Sequence, residues 1–141
     1  MAAALLPADP MAALDVRFLD RFFDFYVMDA MNVAVAAKLG RLGTPEEGLR
    51  VSGEKLERAY GWLESHLAGG RTWAAGEAFT LADCAAAPSL FYADWVHRIS
   101  SAYPLVRAYR TRLLARPSVA RAVDEARPFR HYFPLGAPDR D

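Results

Sequence analysis

The sequence predicts an all-α fold, and three observations carry that prediction. It contains 27 Ala and 16 Leu against 9 Val, 1 Ile and 4 Thr, and Ala and Leu favour helices while β-branched residues favour strands. Apolar residues recur at spacings of three and four, the helical period. Helix-start signals, each a capping side chain followed by Pro or an acid, alternate with glycine stops. Together these exclude a β-sandwich or barrel, and a doubly wound sheet lacks the Val- and Ile-rich runs its buried strands need.

At 141 residues, 53% of them hydrophobic and 24% charged, the chain is one domain's worth and can bury a core. A lone cysteine, Cys84, excludes an internal disulfide framework and a multi-cysteine zinc site. No apolar run is long enough to span a bilayer. Met1 to Leu6 lack the basic region and length of a signal peptide, so a cytoplasmic setting is expected. Formal net charge is zero, which argues against a nucleic-acid partner. Residues 1–97 carry 8 basic and 13 acidic side chains, and residues 98–141 carry 9 and 4. The basic C-terminal third reads as solvated Arg faces or as a binding patch.

Residues 1–8 read as a linker remnant, residues 9–127 as the helical domain, and residues 128–141 as an aromatic and Pro-rich tail. The first helix starts at Asp9-Pro10, a capping side chain with Pro in the first turn. Leu14, Phe18, Phe22, Phe25 or Tyr26, Asp29 and Val33 step along it to about Leu39, with a bend or break expected near Asp29. Gly40 and Gly43 end it. The second helix opens at Thr44-Pro45-Glu46-Glu47, a capping box, and carries a core stripe of Leu49, Leu56, Tyr60, Leu63 and Leu67 to Gly69-Gly70.

Residues 71–79 form a loop, and the third helix starts at Thr80. Its body, from Leu81 to about Val96, is apolar nearly all round, which marks a central, buried helix. Pro88 is expected to kink it. Phe79, Thr80 and Asp83 form its structural cap: Thr80 and Asp83 can satisfy each other's amides, with Phe79 and Cys84 as a hydrophobic staple. A fourth helix follows Tyr103-Pro104, with Leu105, Tyr109 and Leu113 inward and Arg107, Arg110 and Arg112 outward. A fifth follows Arg116-Pro117 and ends by Pro128. The prediction is an up-and-down bundle of four to six helices around a buried, N-capped central helix.

Chemistry-bearing motifs are few. There is no Gly-rich phosphate loop, no Gly-x-Ser-x-Gly and no histidine pair at metal spacing, so neither a catalytic residue nor a metal site is expected. Cys84 reads as a small core residue with a raised pKa. In the first helix, Arg17 and Arg21 stand three residues before Asp20 and Asp24. Two readings of Asp24 stay open: a surface ion pair, or a residue lining a cleft with Met28 and Met31. The methionines are core residues or the adaptable wall of an apolar pocket.

Phe79-Thr80-Leu81-Ala82-Asp83-Cys84-Ala85-Ala86-Ala87-Pro88 resembles the capped, buried helix of the C-terminal domain of cytosolic, bacterial-type glutathione S-transferases. The order of the rest agrees: a long first helix with Arg17, Asp20, Arg21 and Asp24, a second ending Trp62-Leu63-Glu64, then Tyr103-Pro104 through Arg116-Pro117-Ser118-Val119. The likeness covers residues 9–130. It implies a helical substrate-side and dimerisation domain of an enzyme that adds glutathione thiolate to an electrophile. The thioredoxin-like half, which holds most of the glutathione site and the activating residue, would be missing.

By position, the resemblance implies that Asp24 contacts glutathione bound by a partner subunit. It also implies that Met28, Met31, Tyr92, Trp95 and Tyr132 line the second-substrate pocket. The partners it implies are a second copy, a thioredoxin-like domain and a small electrophile, with no cofactor held by this chain and glutathione as co-substrate of the whole protein. The alternative is a non-catalytic assembly module of the same fold. The helical effector domain of a DNA-binding regulator would need a basic recognition helix, and none is evident.

Overall fold

The computed structural model describes residues 4–141, so residues 1–3 of the expected linker lie outside the described residues. The described chain is helical, with no strand beyond a single bridge between Trp73 and Gly76. Helix α1 (Pro10–Phe22) runs through a π-helical segment (Phe23–Met28) into α2 (Asp29–Lys38) as one rod. Then follow α3 (Pro45–Leu67), α4 (Leu81–Val96), α5 (Pro104–Ala115), α6 (Pro117–Ala126) and a 3₁₀ segment (Arg127–Tyr132). Among the described residues no helix is long and apolar enough to cross a membrane.

The caps form where the sequence put them. The Asp9 carboxylate accepts from the amide of Ala12 at 2.8 Å, and the Thr44 hydroxyl accepts from that of Glu47 at 3.2 Å. No break occurs near Asp29. The helix instead widens, with the Asp29 amide donating to the Asp24 carbonyl five residues back. A π turn takes up one extra residue without ending the helix. Along α1 and this segment the buried side is Val16, Leu19, Phe23 and Val27, while Leu14, Phe18, Phe25 and Tyr26 form the outer side.

Rod α1–α2 turns at Gly40 and Gly43, both left-handed, and returns as α3. At the α2–α3 crossing a Cβ on Gly48 would come within 2.3 Å of Ala37 Cβ. Only glycine lets the two backbones approach this closely. The α5 start is capped from α3: both Glu64 oxygens accept, one from the amide of Leu105 and one from that of Val106, each at 3.0 Å. Such a carboxylate satisfies free amides and meets the positive end of the helix dipole.

Helix α4 sits at the centre and touches α1, the π segment, α2, α3 and α5. Its buried face is Ala82, Ala86, Leu90 and Ala93, which meet Leu56, Tyr60, Leu63, Val106, Tyr109 and Leu113 in one core. The segment before α1 belongs to this unit: Leu6 packs on the core, and the Leu5 carbonyl accepts from the Leu81 amide at 2.9 Å.

Four side-chain placements correct the sequence reading. Cys84 is exposed, and Pro88 with it, so α4 is open along one side. Partial burial still pushes the thiol up, with the Asp83 carboxylate adding to it. Leu49 is 44% exposed and Leu105 39%; Gly48 and Val106 take the inward places beside them. Arg110 points inward, its side chain 12% exposed, because a carboxylate on α4, Asp94, lies under it. Helical period shows that a stripe exists but not which of two adjacent rows faces the core.

Candidate substrate pocket and cap

Asp83 organises the start of α4. Its carboxylate is fully buried and accepts from four neutral donors: the Thr80 amide at 2.8 Å, the Thr80 hydroxyl at 3.3 Å, the Ala74 amide at 2.9 Å and the Tyr109 hydroxyl at 2.6 Å. A buried carboxylate without a cation needs such donors to offset its lost hydration. Burial beside this charge raises the Tyr109 phenol well above its ordinary value. Phe79 closes the outside of the cap, with Trp73 edge-on at 5.1 Å and the Arg116 guanidinium over its ring at 3.6 Å.

A second titratable group joins α3 to the loop after α4. Glu57 accepts from the Tyr103 hydroxyl at 2.6 Å and pairs with His97 Nε2 at 2.7 Å. These bonds hold its carboxyl below the usual range, Tyr103 contributing most. Both partners are bound to structure on either side, which makes the cluster a tie between elements. Among the described residues no group of three metal-ligating side chains converges.

The cavity of interest lies between the rod, α4 and the C-terminal tail. Its volume is about 400 Å³. Met28 and Met31 come from the π segment and α2, Tyr92 and Trp95 from α4, and Tyr132 from the 3₁₀ segment. These are the five pocket residues named from sequence, and they share one apolar hollow. Asp24 does not join them. It is 43% exposed and pairs with Arg21 at 2.8 Å, away from the cavity lining.

The sequence reading missed the rest of the wall. Asn32 and Val35 stand one turn beyond Met28 and Met31, and Phe91 one turn before Trp95, so helical spacing could have found them. Phe129, Arg130, Phe133 and Pro134 close the cavity from the tail, and no periodicity marks them. Phe133 stacks on Tyr92 at 5.6 Å and meets Trp95 edge-on at 5.3 Å. The indole N–H of Trp95 is buried and has no partner among the described residues. Among the described residues the lining is aromatic and aliphatic with Asn32 and Arg130 as its polar members, an arrangement suited to holding an apolar ligand.

A separate groove of about 540 Å³ runs along the outer side of the rod against α3. Phe18, Phe22, Phe25, Tyr26 and Trp62 floor it, and Lys55 and Arg58 edge it. Phe22 and Trp62 have ring centres 4.4 Å apart. Arg21, the partner of Asp24, lies 5.6 Å over Phe25 at the groove, while Asp24 itself is not part of the groove's lining. Phe18, Phe25, Tyr26 and Trp62 are 60%, 56%, 65% and 40% exposed, so the groove presents aromatic surface to solvent.

Comparison with known proteins agrees with the geometry. Residues 46–112 match the family model described as glutathione S-transferase, C-terminal domain. No curated protein matches the chain. Among solved structures, the chain is similar to Gtt2 from Saccharomyces cerevisiae, at a TM-score of 0.71 and 21% identity, over 85% of this chain and 61% of that one. It is similar to FzlA from C. crescentus, at 0.71 and 28%, over 85% and 56%. It is also similar to a glutathione transferase homolog from Sulfitobacter with bound glutathione, at 0.66 and 28%, over 86% and 66%. The chain thus spans less than two thirds of each of these proteins, and no thioredoxin-like half is present among the described residues. Residues 46–112 thus match a glutathione S-transferase C-terminal domain, and the helical fold around them is the one shared with these solved structures.

Proposed function

We propose that this chain supplies the second-substrate wall and the dimer surface of a glutathione transferase-like protein in the cytoplasm. The observation that carries the proposal is the convergence of Met28, Met31, Tyr92, Trp95 and Tyr132 on one apolar cavity of about 400 Å³. Methionine and aromatic walls adapt to varied flat, apolar molecules. In a whole protein these would be electrophiles, presented to a glutathione thiolate held by a thioredoxin-like domain. The open side of α4 at Cys84 and Pro88 suits cover by such a domain.

The aromatic groove on the rod is then the homodimer interface. A two-fold pairing puts the same face on both copies. In such a pair Asp24, joined to Arg21 beside Phe25, would contact the glutathione of the opposite subunit. The chain alone offers a pocket but no activating residue, so it is expected to lack transferase activity.

The test compares the purified chain, alone and mixed with an added thioredoxin-like half, on glutathione and a chloronitrobenzene. Conjugation by the chain alone would overturn its assignment as a wall. Light scattering should give twice the chain mass of 15.6 kDa; a strictly monomeric species would remove the dimer.

A further inference from the structure

The rod contributes a row of four residues to the cavity wall: Met28, Met31, Asn32 and Val35. These are the i, i+3, i+4 and i+7 positions of one helical face. Three of them are apolar and packed, Met31 buried and Met28 and Val35 set against the core. Asn32 breaks the row. Its amide makes no hydrogen bond among the described residues, and it stands between Met31 and Val35 in the wall itself. A polar side chain set into an apolar wall governs what is held there: a ligand that matches it is oriented, and one that does not leaves it desolvated and unpaired.

The other polar group of the wall, Arg130, comes from the 3₁₀ segment and is already engaged. Its guanidinium lies 5.3 Å over the Trp95 ring and 6.0 Å over the Phe91 ring. It donates to the Arg140 carbonyl at 3.2 Å and binds the Asp141 carboxylate. Its charge is therefore matched within the protein. An anion entering the cavity would compete with Asp141, whereas a neutral oxygen needs only a donor. Guanidinium and indole groups only donate, and an amide can do either, so this wall suits a ligand acceptor better than a ligand donor.

We infer that Asn32 determines specificity in this cavity. Its amide, with Arg130 as the second polar group of the wall, receives the acceptor oxygen of a flat, neutral aromatic ligand. The cavity then selects aryl ketones and similar carbonyl compounds over hydrocarbon and carboxylate counterparts of the same shape. This rests on the cavity being a ligand pocket.

The test uses the full chain with ¹³C-labelled methionine methyls. Met28 and Met31 line the cavity, so the ring current of a bound aromatic moves their resonances, and Met11, exposed on α1, is the control. Three probes of one shape are titrated: 2-acetonaphthone, its hydrocarbon counterpart 2-isopropenylnaphthalene, and 2-naphthoate. N32L removes the amide at similar size, and N32D keeps the size but removes the donor. Asn32 is exposed, so both variants should fold, as circular dichroism would check. In wild type the ketone should bind more tightly than the carboxylate. Each variant should lower the ratio of ketone to hydrocarbon affinity about fivefold, the worth of one net hydrogen bond.

A ratio unchanged in both variants, with Met28 and Met31 still shifting, overturns the role of Asn32 and leaves it a solvated residue at the rim. Naphthoate binding as tightly as the ketone overturns the preference for neutral ligands. Probes that move neither Met28 nor Met31 in any form defeat the ligand-pocket reading and this inference with it, which separates the two failures.

Discussion

Helix α4 carries a buried carboxylate at each end, and the two are satisfied in opposite ways. Asp83 meets only neutral donors, three of them from residues 74–80 and one from Tyr109 on α5. Asp94 meets the Ile99 amide at 2.8 Å, Arg110 at 3.9 Å and Arg140 from the tail. Dipoles fixed by local chain give a joint that forms with the helix and ignores salt. Cations on long side chains from distant segments give a joint that can be undone without unfolding the core. One end of α4 is therefore a folding device, and the other ties the bundle to the C-terminal tail.

The largest break in this contrast should come from D83A. It strands the Thr80 and Ala74 amides and the Tyr109 hydroxyl in a dry core, at about 1–3 kcal/mol for each unsatisfied group, partly relieved by relaxation. A net loss of about 4 kcal/mol is expected by urea unfolding, unchanged between low and high salt. D94N should cost less, about 2 kcal/mol, because Arg140 can swing to solvent while Arg110 keeps its bonds to the Leu90 and Phe91 carbonyls. Its cost should shrink as salt rises, and a cost that does not move with salt would erase the distinction between the two ends.

Y109F should cost about 1 kcal/mol, since Asp83 keeps three donors. The smallest effect is that of acid on Asp141. Its folded carboxyl sits at about 2, below the ordinary 3.8, because Arg127 and Arg130 donate to it. The stabilisation from a depressed carboxyl is present above its unfolded value and is lost as pH falls through the folded one. Wild type should therefore lose a small increment of stability from about pH 4 down to 2 that D141N lacks, read as a difference between their acid unfolding curves.

Much of the fold was legible because helix boundaries are written in local chemistry. Asp9, Thr44 and the Thr80–Asp83 pair each act on an amide within three residues, a range that sequence alone exposes. Orientation was less legible. Leu49 and Leu105 face outward and Arg110 inward because the deciding partners, Ala37, Glu64 and Asp94, lie on other helices. The cavity was half legible for the same reason. Met28 and Met31 fall at a helical spacing, and Tyr92, Trp95 and Tyr132 followed from the likeness to a family. Phe133 and Pro134 sit in aperiodic chain held by residues far back in the sequence, Tyr92, Trp95 and Asp94, which no spacing rule reads.

The π segment has a consequence for the length of the chain. With its amide ladder reaching five residues back at Asp29, the rod contains one residue more than an α-helix needs to aim the same two faces. An α-helix turns by about 100° per residue, so removing a residue from a regular helix such as α3 would swing everything after it out of register. Within Phe23–Met28 the same deletion can be absorbed by a return to the four-residue ladder, with Met31 and Ala34 still facing inward. The stretch between the aromatic groove and the apolar cavity is thus the place where this helix could grow or shrink by one codon without losing either face.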